Sequence, residues 1–158
     1  MRWIGSLLAA FGLIGACIAE GSDTAPTPAK GGTTVETGTL EGAAFRIDLP
    51  QKWNRGLVVW FHGYAITPVQ LPASQPVAPQ LKQFVDRGYA VAQSAYSATG
   101  WAVEQAAADS ERLRRHFIDK HGKPRETFAA GMSMGGTLVV MALETSADTY
   151  AGGLSLCG

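Results

Sequence analysis

The run Thr127-Phe-Ala-Ala-Gly-Met-Ser-Met-Gly-Gly-Thr137 constrains the fold more tightly than any other part of the chain. Its opening Phe128-Ala129-Ala130 reads as a short buried strand, and residues 137–144, Thr-Leu-Val-Val-Met-Ala-Leu-Glu, read as a helix packed on a sheet. Between them the backbone has only Gly131-Met132-Ser133-Met134-Gly135 in which to reverse. Glycine two residues before and two after the serine lets the incoming strand and the outgoing helix pass without Cβ clashes. A G-x-S-x-G elbow of this kind lifts the serine hydroxyl above the carboxyl edge of the sheet, which makes Ser133 a candidate nucleophile. The five-letter pattern alone is weak, because glycine and serine are common; the strand before it and the helix after it supply the specificity.

The rest of the chain alternates strand and helix patterns. Phe45, Ile47 and Leu49 alternate with Arg46 and Asp48, the period-two signature of a half-buried strand that Pro50 closes. A strand over residues 35–40 is expected to pair with it through Glu41-Gly42. Gly56-Leu-Val-Val-Trp-Phe-His62 is almost continuously apolar and too short for a helix, as in a central strand covered on both faces. The proline-rich residues 68–79 predict a loop, and 80–87 a short helix with Leu81, Phe84 and Val85 on one face and Gly88 as its stop. Residues 89–94 predict another buried strand, and 101–121 the longest helix, with Val103, Ala106, Leu113 and Phe117 inward. The charged residues of that helix, Asp109 among them, are expected mostly on its solvated face, with Glu111 and Arg115 spaced for an i,i+4 pair. Residues 150–157 predict one more strand. The alternation implies βαβ units and hence an α/β protein, a mostly parallel sheet with flanking helices and an antiparallel amino-terminal strand pair at its edge.

At 158 residues and 46% hydrophobic content the chain has material for one domain with a buried core. Its formal net charge of +0, without long runs of like charge, argues against nucleic acid as a partner. The amino terminus is a separate object. Arg2 precedes an apolar or small run over residues 4–18 that Glu20 ends, which predicts an export signal over 1–19. A membrane-crossing helix needs about 20 apolar residues, and this run is shorter. Two processing routes stay open: Cys17-Ile18-Ala19 fits a small-x-small cleavage site, while Leu13-Ile-Gly-Ala-Cys17 resembles a bacterial lipobox, with a signal over 1–16 and Cys17 as the lipidation candidate. Either route predicts an exported protein, whether periplasmic, membrane-anchored by lipid or extracellular, that meets a membrane only through its signal or anchor.

Residues 21–34, rich in Ser, Thr, Pro, Ala and Gly, cannot bury enough surface to offset their ordering entropy. A flexible linker is therefore expected over 20–37 and a folded domain over 38–158. Cys157 is then the one cysteine of the mature domain, which excludes an internal disulfide, and is expected as a buried thiol at a strand end. Scattered histidines, and the lack of a lysine beside the glycines from Gly131 to Gly136, argue against a metal centre and a phosphate loop, so no cofactor is expected.

Four segments together resemble the α/β-hydrolase superfamily, and within it exported esterases and prolyl-oligopeptidase-like serine hydrolases. They are Trp60-Phe-His-Gly-Tyr64, Gly88-Tyr-Ala-Val-Ala, Gly131-Met-Ser-Met-Gly-Gly136 and Gly152-Gly-Leu-Ser-Leu-Cys-Gly158. The resemblance implies attack by Ser133 on an ester, thioester or amide of a small-molecule or peptide acyl substrate, through an acyl-enzyme. It also implies an oxyanion hole made by the backbone N–H groups of Tyr64 and Met134, with His62 and Gly63 as structural parts of the turn. One part of the family pattern is missing. The triad runs Ser, then Asp or Glu, then His, yet His62, His116 and His121 all precede Ser133. Residues 38–158 are therefore expected to form an incomplete α/β-hydrolase fold, the amino-terminal part of a larger enzyme and inactive by itself. The alternatives are a non-catalytic α/β-hydrolase-like binding module and an inactive gene fragment.

Overall fold

The computed structural model describes residues 27–29 and 32–158. The expected export signal, the lipidation candidate Cys17 and most of the expected linker lie outside the described residues. Seven strands and three helices follow in the order β1 (Thr27–Ala29), β2 (Thr33–Leu40), β3 (Ala43–Pro50), β4 (Gly56–Phe61), α1 (Pro79–Asp86), β5 (Ala90–Ser94), α2 (Val103–His121), β6 (Glu126–Met132), α3 (Met134–Thr145) and β7 (Gly152–Leu156). They build one sheet, ordered β1-β2-β3-β5-β4-β6-β7. β4 is parallel to its neighbours β5 and β6, and β7 is parallel to β6. β1, β2 and β3 are antiparallel and join the parallel part through an antiparallel β3–β5 ladder.

Both faces of the parallel part are lined because side chains alternate along each strand. In β4, Leu57, Val59 and Phe61 point to one core, which they share with Ala106, Leu113 and Phe117 of α2 and Leu138 and Val139 of α3. Val58 and Trp60 point the other way, onto Leu81 and Val85 of α1. Pro79 opens α1, where its missing N–H costs nothing, and glycines with φ of 87° and 85°, Gly88 and Gly122, follow α1 and α2. The chain leaves β4 through α1 to reach β5 on one side, then passes through α2 back to β6 on the other. That reversal about β4 makes the carboxyl ends of β4 and β6 the topological switch point, the usual place for a site in an open α/β sheet.

Four expectations need correction. The domain starts before residue 38, because β2 begins at Thr33 and pairs along its whole length with β3. Val35 is buried there, and the buried Glu36 carboxylate is satisfied by Lys120 at 3.2 Å and His121 at 3.3 Å, so a threonine-rich stretch is ordered by its ladder and ion pairs. The β2–β3 turn itself falls where expected, with Glu41 and Gly42 both at positive φ, 47° and 86°, as a tight hairpin turn demands.

β3 is buried on both faces rather than one: Arg46 is 3% exposed and Asp48 0%. The proline-rich loop lies over them, and Arg46 donates to Asp48 at 2.7 and 2.9 Å and to the carbonyls of Pro72 and Gln75 at 2.8 and 2.9 Å. Asp109 does not lie on the solvated face of α2; it is 4% exposed and accepts hydrogen bonds from Ser97. Cys157 is exposed rather than buried, because among the described residues β7 pairs with β6 alone. The Glu111–Arg115 pair does form, at 2.8 Å, with Arg114 as a second partner at 2.6 Å. Among the described residues no helix is long and apolar enough to cross a membrane.

Candidate active site

β4 and β6 run in register from Gly56 opposite Glu126 to Phe61 opposite Gly131. Two residues further along each chain, Gly63 and Ser133 leave the sheet side by side. A Cβ placed on Gly63 would stand 3.3 Å from the Cβ of Ser133 and 3.8 Å from its Oγ. The His62-Gly63-Tyr64 turn therefore rests directly on the elbow.

Ser133 sits between β6 and α3 at φ 58°, ψ −128°, a conformation that residues with side chains rarely adopt. Its surroundings hold it there. The Ser133 N–H donates to the Leu156 carbonyl at 2.8 Å, and its own carbonyl accepts from the N–H groups of Gly136 at 2.8 Å and Thr137 at 3.2 Å. Gly135 stands so close to the Phe61 carbonyl that no Cβ could be accommodated, and Gly131 is similarly pressed against the Gly135 carbonyl. The first turn of α3 thus lies backbone to backbone on the end of β4, which is the physical reason for glycine at both positions. Ser133 is exposed, and its hydroxyl has no hydrogen-bond partner among the described residues.

Both expected oxyanion donors belong to segments that touch Ser133. Met134 is buried and is the first residue of α3, so its N–H has no carbonyl one turn back within the helix and points from the positive end of the helix dipole. Tyr64 follows Gly63 and is 56% exposed. Its loop is anchored one residue later, where the Gly100 N–H donates to the Ala65 carbonyl at 2.7 Å.

His62 is occupied within its own turn. Its Nδ1 lies 2.6 Å from the Gly63 carbonyl, and since a carbonyl only accepts, Nδ1 carries the proton and Nε2 is bare. The ring stacks on Tyr96 at a centroid distance of 3.8 Å, and Nε2 is buried without a partner. Burial pushes the His62 pKa below its ordinary 6.5, against smaller opposing effects of the Gly63 and Ala95 backbone. A neutral ring fixed in this way braces the turn. His116 packs on Phe45 at 5.2 Å and His121 reaches Glu36, so both serve the β2–β3 flank rather than the elbow. Among the described residues no histidine is hydrogen-bonded to Ser133, and no group of His, Cys, Asp or Glu could hold a metal ion.

Two residues near the turn escaped the sequence reading, Tyr96 and Asp109. Tyr96 takes φ 58° just after β5, and its hydroxyl donates to the His62 carbonyl at 3.2 Å. Asp109 was legible in principle: Ala106, Asp109, Ser110, Leu113 and Phe117 are spaced as one helix face, so its carboxylate falls on the buried stripe.

An elbow serine on a strand-to-helix turn, at the carboxyl edge of a sheet lined by helices on both faces, is the architecture of the α/β hydrolases. The chain belongs to the tannase-like family of unknown function DUF6351, whose model matches residues 39–155. No curated protein sequence matches it. Among solved structures it resembles a cold-adapted esterase from an Arctic intertidal metagenomic library, with TM-score 0.58 and 18% identity over 79% of this chain and 61% of that one. It also resembles a thermostable carboxyl esterase from Bacillus coagulans, with TM-score 0.53 and 15% identity over 85% of this chain and 42% of that one. A third likeness is to a putative dipeptidyl aminopeptidase IV from Bacteroides ovatus, with TM-score 0.61 and 14% identity over 77% and 20%. These likenesses establish the fold. The chain spans less than two thirds of the length of each of these structures.

Proposed function

We propose that the protein is a serine hydrolase that cleaves ester, thioester or amide bonds through an acyl-enzyme on Ser133. The observation that supports this most directly is the strained φ 58° of Ser133, maintained at a site where the Gly63 turn abuts it. Strain of this kind persists only where surrounding contacts over-determine it, and it concentrates at functional positions. Ser133 Oγ would attack the acyl carbonyl carbon, the bond to the leaving oxygen, sulfur or nitrogen would break with a proton passing to it, and water would release the acid. The N–H groups of Met134 and Tyr64 are assigned to the oxyanion; one such donor is worth about 3 kcal/mol in the transition state.

His62 is not placed as the base: its Nδ1–H is held by the Gly63 carbonyl, and its bare Nε2 is buried without a hydrogen-bond partner, Ser133 included. Among the described residues no histidine is hydrogen-bonded to Ser133, and an elbow serine without its base is a poor nucleophile at neutral pH. Loss of the triad base costs about a million-fold in a studied protease. The acyl substrate is a small molecule or a peptide, no cofactor takes part, and an amino-terminal leader directs the protein out of the cytoplasm, either cleaved after Ala19 or ending at residue 16 with Cys17 as the lipid attachment point.

A fluorophosphonate probe offered to the full-length protein tests the reading. Ser133 is expected to be labelled, and Ser133→Ala to abolish labelling. Undiminished labelling of the alanine variant would refute the assigned nucleophile; a full-length protein that resists the probe would favour a non-catalytic module on the same fold.

A further inference from the structure

We propose that Tyr96 is a positioning residue for the oxyanion turn: clamped from behind by Asp109, it fixes the His62 carbonyl at the point where the turn meets the elbow. The catalytic meaning of this rests on the hydrolase reading above, whereas the clamp itself rests on geometry alone. Tyr96 leaves β5 with φ 58°, a left-handed conformation for a large side chain. Two contacts hold it there. Its own N–H donates to Ser94 Oγ at 3.1 Å, and the next residue, Ser97, donates both its N–H and its hydroxyl to Asp109 Oδ2 at 2.7 and 2.8 Å. The other Asp109 oxygen is taken by Arg112, which also reaches Glu41 at 2.7 Å, so the buried carboxylate is fully engaged.

The backbone bend aims the Tyr96 ring at the turn. It stacks on His62 with 22° between the planes, and its hydroxyl donates to the His62 carbonyl at 3.2 Å. That carbonyl, with the Phe61 carbonyl, also crowds the elbow, lying 2.8 Å from where a Gly135 Cβ would be. One residue further on, Gly63 abuts Ser133. The phenol therefore ties down the peptide unit that carries the Gly63 N–H, one unit ahead of the one that carries the Tyr64 N–H. Burial raises the Tyr96 pKa far above its ordinary value, so the hydroxyl remains a donor at any pH the protein meets. A phenylalanine would fill the same space and keep the stacking, but it could not hold the carbonyl.

The full-length protein carrying Tyr96→Phe separates positioning from packing through two readouts, the rate of fluorophosphonate labelling at Ser133 and the amide hydrogen exchange of Gly63 and Tyr64. The variant is expected to melt close to wild type, to label about tenfold more slowly at saturating probe with unchanged half-saturation, and to exchange those two amides faster; a misaligned donor loses less than the hundredfold or more of a deleted one. Asp109→Asn, which keeps the size and one acceptor, is expected to shift both readouts in the same direction by less. Wild-type labelling and wild-type exchange in Tyr96→Phe would overturn the proposal. Should the wild-type protein itself resist the probe, the hydrolase reading fails, and exchange at Gly63 and Tyr64 then decides the clamp alone: faster exchange upholds it and unchanged exchange overturns it.

Discussion

The two flanks of the sheet handle polarity in opposite ways. At the β2–β3 flank, charged side chains are enclosed: Arg46 and Asp48 are sealed under the proline-rich loop, and Glu36 is held by Lys120 and His121. At the β7 flank, apolar side chains face outward, with Leu154 46% exposed and Leu156 36% exposed. Residue type alone would assign these environments the other way round. What decides is cover: β3 has a strand on each side and a loop above, while β7 has one partner strand among the described residues. A charge stays buried where its partners are supplied in full, and a leucine stays exposed where no neighbour reaches it.

The largest effect is expected where cover is complete. Asp48→Ala leaves the Arg46 guanidinium enclosed without its carboxylate, and breaking a buried pair on one side costs about 3–5 kcal/mol, readable as a lowered urea midpoint. A loss below about 1 kcal/mol would mean that water enters beneath the loop and that the flank is less closed than its contacts imply. Next comes the elbow between the flanks. Gly135→Ala forces a methyl into the Phe61 carbonyl and is expected to cost about 1–3 kcal/mol or more, together with loss of probe labelling at Ser133. Retention of labelling would show that β4 and α3 can separate without disturbing the serine.

A smaller effect, with its own signature, comes from pH. His62 is neutral in the fold with its pKa below 6.5, while in the unfolded chain it returns to about 6.5. The unfolded state therefore takes up the proton first as the pH drops, so this contribution is complete above 6.5 and is lost between 6.5 and the lowered folded value. Urea midpoints followed from pH 7.5 down to about 5 are expected to fall less in His62→Asn than in wild type. Equal slopes would place His62 in water. The smallest change is expected at the open flank, where Leu154→Thr should shift stability by no more than about 0.5 kcal/mol in the same melt. A loss of about 2 kcal/mol in the full-length protein would reveal that this leucine is covered there.

The order of elements was readable in the sequence because their periods differ: β4 is a solid apolar run, α1 and α2 carry helical stripes, and Gly88 and Gly122 punctuate them. The elbow was readable because close backbone approach at Gly131 and Gly135 admits a single residue type. Long-range cover was not readable. Nothing local in Phe45-Arg46-Ile47-Asp48 says that a loop more than 20 residues away will close over its polar side, and nothing in Thr33-Thr34-Val35-Glu36 says that α2 will bring two cations to it. The role of Tyr96 was hidden for the same reason, since its partners are His62, a strand away, and Asp109, through a neighbour's amide.

The pairing of Phe61 with Gly131 works as a ruler for the site. Sliding β4 against β6 by one residue would carry the His62 turn about 3.3 Å past the serine and exchange the two faces of the strand. Because Leu57, Val59 and Phe61 belong to one core and Val58 and Trp60 to the other, such a slip would break both cores at once. The distance between the turn and the nucleophile is thus guarded by the packing of five side chains well below it. A chain that has closed its core correctly has already set that distance.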